Sequence, residues 1–397
     1  MRRREFLTKV VLGGTAFGAA PGLWNRLAHA ATRAASPYGP LQPADGNRLR
    51  LPAGFSSRVL AITGRAVGST SYRWHEKPDG GATFATADGG WIYTSNSEVG
   101  SQGGGVGTIR FDARGAIVGA GRILSGTSRN CAGGPTPWGT WLSCEEVSRG
   151  QVHECDPSGA RRAVARPAMG RFNHEAAAVD PPGRAVYLTE DEDDGALYRF
   201  RPATWPDLSR GELEVMTERD GTLGWARVPD PSGSSKPTRD QVSGVRRFDG
   251  GEGAWYDAGR IWFTSKGDNR VWTYEPAANR LTVVYRASSP LEGVDNVTVS
   301  SSGDVFVCED GGNMEIVMIT PEGEVTLFLR LEVSESELAG VAFDPGGTRM
   351  YFSEQSSPGR TYEVSGPFRG GAGPGPTTTT TGPPPPTTTT TVPPCPT

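Results

Sequence analysis

The chain has 397 residues, including 55 glycines and 32 prolines, and a formal net charge of −4. This length allows one large domain or two ordinary ones, and the glycine and proline content favours many short strands with tight turns. The mildly acidic charge disfavours nucleic-acid binding. Five cysteines without a CxxC pair exclude a small disulfide scaffold and a tetrathiolate zinc site, while one bridge involving Cys155 stays open.

Residues 1–30 have the features of an export signal. A basic start precedes an apolar run too short and glycine-rich to span a bilayer, and Ala28–Ala30 matches an A-x-A cleavage pattern. The segment Arg3–Leu7 (RREFL) resembles the twin-arginine (Tat) motif, with an ordinary secretory signal as the alternative. We expect export by the Tat machinery to the periplasm, cell surface or medium, without stable membrane insertion. Because the Tat route carries folded proteins that often hold a cofactor, it favours a metal site.

Six segments of the chain share one plan: a strand, a turn with Asp and Gly, and an apolar strand that ends in polar residues. Aligned on the second of these strands, the repeats end at Glu98, Glu145, Glu190, Lys266, Glu309 and Glu354. The intervals are 47, 45, 76, 43 and 45 residues, and four of the five match one propeller blade. The sequence therefore predicts an all-β, six-bladed β-propeller over residues 36–368. In the long interval, TWPDLSRGELEVM and a polar stretch to about Val242 are expected to form an insertion of about 30 residues. Two β-sandwich domains are the alternative.

Equivalent positions in successive blades of a propeller converge in space. Five glutamates and one lysine at such positions would repel strongly unless protons or cations neutralise them. Metal ligation is therefore expected, with a solvated surface ring as the alternative. Oxygen ligands in a chain with only four histidines favour Ca²⁺ or another hard cation over zinc.

The second repeat contains RNCAGGPTPWGTWLSCEE. Cys131 follows Asn130 in a glycine-rich stretch, which favours a metal-binding or nucleophilic thiolate over a merely buried cysteine. Cys144 lies within an apolar strand and is expected to be an inert core residue. Glu145 and Glu146 point to opposite sides of an extended chain, so one of them is expected to face the metal.

The third repeat begins with GRFNHEAAAVD. Arg171 can donate two hydrogen bonds to a phosphate, His174 can exchange a proton, and Glu175 can bind a metal. A structural histidine is the alternative for His174. Of the acidic cluster that follows, Glu190 and Asp191 are expected to lie nearest the channel.

The fourth and fifth repeats add one cation and a further acidic group. Lys266 stands where other repeats have glutamate, so it forms either a neutralising salt bridge or an anion-binding group. Asp295 and Asn296 precede a strand that ends at Glu309, an arrangement also found in calcium-dependent lactonase propellers.

Residues 369–397 form a Thr/Pro-rich tail. Such a segment cannot bury a core, and we expect a disordered, extended stalk. No apolar stretch follows it in this sequence, and Cys395 is expected to have no catalytic role.

The blocks NCAGGPTPWGTWLSCEE, GRFNHEA, VYLTED and LEGVDN…VFVCEDG resemble those of the PhoX family of secreted alkaline phosphatases. The resemblance covers nearly the whole chain except the tail. It implies a six-bladed propeller with Ca²⁺ and Fe³⁺ ions that bind and activate phosphate esters. Cys131 then corresponds to an iron-bridging cysteine. The acidic and amide ligands implied by the resemblance are Glu98, Glu145, Glu175, Glu190, Glu309, Asp295 and Asn296, with Asp191 added from its place beside the channel.

The chain departs from the family in two respects. It is shorter than the well-known members, and EDEDDGALYRF lacks the arginine of the family pattern DDxRxxYxYKF, for which Arg171 and Lys266 are candidate substitutes.

The resulting prediction is a monomeric, metal-dependent phosphoesterase that hydrolyses a small-molecule phosphate ester outside the cytoplasm. Arg171, His174 and Lys266 would orient the phosphate or protonate the leaving oxygen. A calcium-dependent lactonase and a non-catalytic binding propeller are the alternatives.

Overall fold

The computed structural model describes residues 36–286, 290–332 and 336–371. These residues form six antiparallel sheets and three short 3₁₀ helices. The first strands of successive sheets contact one another in a closed circle, so the sheets are the blades of a six-bladed β-propeller. The predicted fold class and blade number are confirmed. The predicted signal peptide, residues 1–30, and the tail from residue 372 lie outside the described residues.

Two strands precede the first blade: β1 (Leu49–Arg50) and β2 (Ser56–Ile62). The first blade consists of β3 (Pro78–Ala85), β4 (Trp91–Ser97), β5 (Gly104–Phe111) and β6 (Ile117–Thr127). The second blade consists of β7 (Asn130–Pro135), β8 (Trp141–Glu145), β9 (Val152–Cys155) and β10 (Val164–Ala165). In both blades each strand pairs with the next one along the chain.

The third blade is the largest. It consists of β11 (His174–Asp180), β12 (Ala185–Glu190), β13 (Gly195–Thr204), β14 (Asp207–Arg219) and β15 (Thr222–Arg227), with β16 (Arg247–Phe248) paired to β13. The fourth blade consists of β17 (Gly251–Asp257), β18 (Arg260–Ser265), β19 (Arg270–Glu275) and β20 (Arg280–Arg286). The 3₁₀ helices are Pro167–Met169, Thr238–Asp240 and Pro276–Ala278.

The last two blades also use strands from the N-terminal side of the chain. The fifth blade consists of β21 (Val294–Val299), β22 (Val305–Glu309), β23 (Glu315–Ile319) and β24 (Val325–Leu331), with β1 paired to β24. The sixth consists of β25 (Leu338–Phe343), β26 (Arg349–Glu354) and β27 (Arg360–Ser365), with β2 as its outermost strand.

The segment TWPDLSRGELEVM is not an insertion, which corrects the expectation from the repeat spacing. It contains most of β14, the fourth strand of the third blade. Leu208, Leu213 and Val215 are buried in the core of that blade, so the segment is an integral part of it. The extra length of the repeat lies in β15, β16 and the connection between them.

The ring is closed by strand exchange between the two ends of the propeller. β2 pairs antiparallel with β27, so the sixth blade cannot be completed without the N-terminal segment. Nearby, Tyr38 and Phe55 pack edge-on against Phe328 and Phe368, at centroid distances of 4.9 to 6.3 Å. Edge-to-face aromatic contacts add to the burial of their surface. Residues from both ends of the propeller therefore share one closing cluster.

The first strand of every blade carries a register irregularity against the second strand, close to its N-terminal end. A β-bulge redirects a side chain and is common beside functional sites. In this position the six blades carry a set of residues that face the propeller axis: Asp79, Cys131, Glu175, Glu252, Asp295 and Ala339. We call this set the axial ring.

Small residues follow the axial ring and allow the inner strands to approach closely. A β-carbon on Gly80 would lie 2.5 Å from the Ala132 Cα, and one on Gly253 would lie 2.7 Å from the Asn296 Cα. Glycine is therefore required at both positions. These residues border a cavity of about 20 Å³, room for about one water, so the axis is nearly filled on this side of the ring.

Within the described part of the chain, no helix is long and apolar enough to cross a membrane.

A chain that begins at residue 63 lacks β1 and β2 and leaves the edge of β27 unpaired. We expect its thermal unfolding midpoint to fall by at least about 10 °C relative to a chain that begins at residue 36, because the pairing of β2 with β27 is lost. The exposed edge of β27 should also favour association between molecules. Circular dichroism melting with light scattering measures both effects. Equal midpoints would contradict the role of β2 in closing the ring.

Candidate metal centre

The axial ring is almost completely buried. The exposed fractions are 0% for Asp79 and Glu175, 1% for Asp295, 2% for Glu252 and 7% for Cys131. Aspartate and glutamate are rarely buried to this extent unless they are paired or bind a metal. Four buried carboxyl groups and one thiol at one axis therefore require a physical explanation.

The axial ring, together with Glu146, supplies two groups of potential metal ligands that share one residue. Ligand atoms of Cys131, Glu146 and Glu175 lie within 4.8 Å of one another, and so do those of Glu175, Glu252 and Asp295. The first group includes sulfur, and the second consists of carboxylate oxygens alone. Glu175 stands between the two groups and can contribute to both.

Several of these ligand atoms have no protein partner. Both carboxylate oxygens of Glu175 are buried without a hydrogen bond, whereas the carboxyl group of Asp295 lies against that of Glu337. The Cys131 thiol donates to Asp79 Oδ2 at 3.4 Å. An unpaired buried carboxylate is costly, and a bound cation would supply the missing interaction. The residues present therefore fit a metal centre.

Burial and mutual repulsion shift the acid–base equilibria of the centre in one direction. Burial, followed by repulsion from neighbouring carboxylates, raises the pKa of Glu175 and of Glu252 well above the usual range. Burial likewise raises the pKa of Asp295 to about 6 and that of Glu146 to about 8. The same causes raise the pKa of the Cys131 thiol. The raised pKa values mean that these carboxyl and thiol groups cannot all be negatively charged at once unless a cation is bound.

A second layer of polar side chains surrounds the open side of the axial ring. It consists of the residue that directly follows the second strand in each blade. The preceding residue, the last of the second strand, pairs with the start of the inner strand. We call this set the mouth ring: Glu98, Glu146, Asp191, Lys266, Asp310 and Gln355.

Two cationic side chains bridge acidic groups of the mouth and axial rings. Lys266 Nζ lies 3.0 Å from Glu252 Oε1 and 3.0 Å from Asp310 Oδ2. Burial lowers the pKa of Lys266, but the carboxylates of Glu252, Asp295 and Asp310 together raise it, so the ammonium stays protonated. Arg129 links the first and second blades in the same layer. Its Nε lies 3.0 Å from Glu98 Oε1 and its Nη2 lies 2.9 Å from Glu146 Oε2.

Asn96 fixes the backbone at Cys131. Its Nδ2 donates to the carbonyl oxygens of Cys131 (3.1 Å) and Ala132 (2.7 Å). Its Oδ1 accepts from Trp141 Nε1 and Ser143 Oγ, both at 2.9 Å. All four polar contacts of this amide are therefore satisfied in the interior. The network ties the first blade to the cysteine of the second.

Six of the residues predicted from the sequence lie in the two rings. Cys131, Glu175 and Asp295 belong to the axial ring, and Glu98, Asp191 and Lys266 belong to the mouth ring. Of the adjacent pair in the second blade, Glu146 is the one that approaches Cys131 and Glu175.

The structure does not bring Glu145, Glu190 and Glu309 to the axis, because they alternate with the mouth ring and point into their own blades. Glu145 accepts from the backbone of Ser128 (2.9 Å) and lies 3.2 Å from His153 Nε2. Glu190 Oε1 lies 2.9 Å from Arg239 Nη1, and Glu309 Oε1 accepts from the Glu292 amide at 2.8 Å.

The two predicted catalytic residues of the third repeat, Arg171 and His174, also lie away from the axis. His174 precedes Glu175 in β11 and points to the opposite face, where its ring packs on Phe172 at 3.6 Å and Nε2 contacts Gly170 O at 3.0 Å. Burial lowers the pKa of His174 to about 4. Arg171 donates its backbone amide to Pro231 O, and among the described residues no side-chain hydrogen bond or ion pair joins Arg171 to the rings.

Asn296 supports the ring instead of reaching into it. Its Nδ2 donates to Asp295 Oδ1 at 2.7 Å and its Oδ1 accepts from the Gly340 amide at 2.6 Å. The four described cysteines, including Cys155, are free and buried, so the alternative of a bridge involving Cys155 and another of them is not supported.

Sequence reasoning missed Asp79 and Glu252 and did not choose Glu146. The first two open the inner strands of the first and fourth blades, as DGG and EGA. Cys131 and Glu175 open theirs in the same way, as CAG and EAA. An alignment of the repeats on an acidic or thiol residue followed by small residues would have found them.

A propeller whose axis holds overlapping thiolate and carboxylate ligand groups belongs to the class of candidate metal-binding β-propellers. The family model described as alkaline phosphatase PhoX matches residues 93–153, 148–280 and 262–359. The chain therefore belongs to the PhoX family of alkaline phosphatases.

Two solved structures share the fold of this chain. The structure of Pseudomonas fluorescens PhoX in complex with vanadate, a transition state analogue, has a TM-score of 0.68 at 16% identity and covers 82% of this chain and 97% of that one. A protein of unknown function from Bacteroides thetaiotaomicron has a TM-score of 0.51 at 8% identity, covering 78% and 76%. No curated protein matches this sequence.

Replacing Asn96 by alanine leaves the indole of Trp141 and two carbonyl groups without partners. We expect Asn96→Ala to lower the free energy of unfolding by about 2–4 kcal/mol. Urea denaturation measures this. Asn47→Ala is the control, because the amide of Asn47 donates only to Ser57 in a partly exposed position. Equal losses in the two variants would show that the Asn96 network has no special role.

Proposed function

We propose that this protein is a metal-dependent phosphoesterase that hydrolyses small-molecule phosphate esters outside the cytoplasm. Membership of the alkaline phosphatase family supports a phosphatase. The observation that carries the metal dependence is Glu175, a fully buried carboxylate with no partner on either oxygen, which joins two groups of metal ligands.

The two ligand groups differ in chemistry, and each fits a different cation. Cys131, Glu146 and Glu175 combine a thiolate with carboxylates, a set that suits iron better than calcium. Glu175, Glu252 and Asp295 offer oxygen ligands alone, which suit Ca²⁺. We therefore propose Fe³⁺ for the first group and Ca²⁺ for the second, the two ions that the family resemblance implies.

When bound, these cations would attract the phosphoryl oxygens, offset the charge of the transition state and lower the pKa of a bound water. The side chains of the mouth ring would position the ester. Lys266 and Arg129 carry positive charge at the entrance to the acidic centre, where an anionic phosphate would have to arrive. The small residues below the ring leave almost no room for water on the far side.

Of the predicted catalytic residues, we retain Lys266 alone as a phosphate-orienting group. It lies between the axial ring and Asp310 and stays protonated because of the surrounding carboxylates. His174 is buried against Phe172 on the other face of its strand, so protonation of the leaving oxygen is not assigned to it.

We also propose Tat-dependent export, with the mature protein acting as a monomer in the periplasm, at the cell surface or in the medium. The support is the RREFL segment and the A-x-A pattern that follows it.

Natively exported protein should contain iron and calcium and hydrolyse p-nitrophenyl phosphate, and vanadate should inhibit it, since the Pseudomonas relative binds vanadate. Glu175→Gln should lower iron and calcium content together and reduce the phosphatase rate by about 100-fold or more. Elemental analysis and a steady-state assay measure these effects. Calcium without iron, and no phosphate turnover, would refute the proposal and favour a lactonase or a binding protein.

The same variant has an effect on stability that activity cannot report. In the absence of metal, Glu175→Gln removes one of several mutually repelling buried carboxyl groups. We expect metal-free Glu175→Gln to unfold at a higher urea concentration than the metal-free wild-type protein, and metal to stabilise the wild type more. A metal-free variant less stable than the metal-free wild type would indicate a purely structural role for Glu175.

Neighbouring glutamates in the second blade provide a matched comparison. Glu146→Gln should reduce iron content, because Glu146 lies with Cys131 and Glu175. Glu145→Gln should retain the metal and instead lower stability by about 1–3 kcal/mol, because Glu145 accepts hydrogen bonds within its own blade. Metal analysis and urea denaturation of both variants test the assignment. Loss of iron in Glu145→Gln alone would restore the prediction made from the sequence.

A further inference from the structure

A cleft of about 450 Å³ opens between the first and sixth blades. Its walls come from the segment before β3, the segment after β4, Arg129, and the turn between β26 and β27. It is separate from the narrow cavity on the axis, which has room for about one water.

The cleft adjoins the acidic centre through residues that belong to both. Gln355 lines the cleft, and its side-chain amide donates to Asp79 Oδ2 in the axial ring. Arg129 also lines the cleft and contacts Glu98 at 3.0 Å and Glu146 at 2.9 Å. An ester with its phosphate group at the acidic centre would therefore have this cleft beside it for its alcohol portion.

The lining of the cleft combines apolar surface, including Val99 and Pro358, with polar and charged side chains. Thr63, Ser356 and Ser357 contribute hydroxyl groups, and Lys77 and Arg129 contribute cationic donors. The Lys77 side chain is 53% exposed and lies 3.3 Å from Glu98 Oε2, so it retains donor capacity towards the cleft. None of the described residues that line the cleft is aromatic. An aryl group or a nucleobase would have no ring to stack on, whereas hydroxyl groups would find donors and acceptors.

We propose that this cleft binds the alcohol portion of the substrate and that this portion is a polyol or a sugar. Lys77 and Arg129 donate to its hydroxyl groups, and Thr63, Ser356 and Ser357 complete the polar surface. This inference rests on the proposed phosphoesterase function and adds the class of substrate.

The test compares kcat/KM for glucose 6-phosphate and glycerol 2-phosphate with kcat/KM for p-nitrophenyl phosphate in metal-loaded protein. A hydrogen bond from a charged donor to a substrate hydroxyl contributes about tenfold to binding. Lys77→Ala should therefore lower the ratio of polyol to aryl ester by about tenfold. Lys236→Ala is the matched control, because Lys236 is exposed and lies outside the cleft, and its ratio should equal that of the wild type.

A second variant changes the shape of the cleft without straining its backbone. A β-carbon on Gly100 would meet only Arg129 Cγ, at 4.0 Å, so Gly100→Phe can place a ring in the cleft. It should lower the same ratio, because it fills space needed by a polyol and offers a face to an aryl group. If both variants hydrolyse the aryl ester and keep the wild-type ratio of polyol to aryl ester, the substrate assignment is overturned and the proposed phosphoesterase function stands. Failure of the metal-loaded wild type to hydrolyse all three esters would overturn both.

Discussion

The close approach of six inner strands around one axis is the constraint on which the remaining structure depends. Strands can meet there only where side chains are very small, as the contacts of Gly80 and Gly253 demonstrate. The residue before each small one is turned towards the axis by the register irregularity. The fold thus creates one position per blade whose side chain must be accommodated at the centre, and five of these six side chains carry a carboxyl or thiol group.

Concentrating acids at the axis couples the metal to the stability of the fold. Neighbouring blades contribute the groups of each ligand set: Cys131 and Glu146 from the second, Glu175 from the third, Glu252 from the fourth and Asp295 from the fifth. Without a cation, burial and repulsion raise the pKa values of these carboxyl groups, and protons must replace the missing charge. Two cations that share Glu175 as a ligand would therefore hold four blades together while they create the reactive centre.

Much of this architecture could be predicted from the sequence, because each blade repeats its inner hairpin at regular intervals. The spacing predicted six blades and an acidic channel, and Cys131, Glu175 and Asp295 were found from local motifs. The alignment on the ends of the second strands was misleading, however. The paired positions differ by one residue between blades, so Glu98 and Lys266 correspond to Glu146, not to Glu145. A shift of one residue reverses the face of a strand, which explains why Glu145, Glu190 and Glu309 point away.

The axial ring and the mouth ring are subject to different physical constraints. At the axis, space and charge leave few alternatives, so a residue there can be inferred from the fold. At the mouth, where Lys266 and Arg129 are partly exposed, cations from different blades can supply positive charge to the same region. This explains how the chain can lack the arginine of the family pattern in EDEDDGALYRF and still present cations to an anion. Differences in substrate between members of this fold should therefore arise at the mouth and in the cleft beside it, where the backbone tolerates changes that the axis does not.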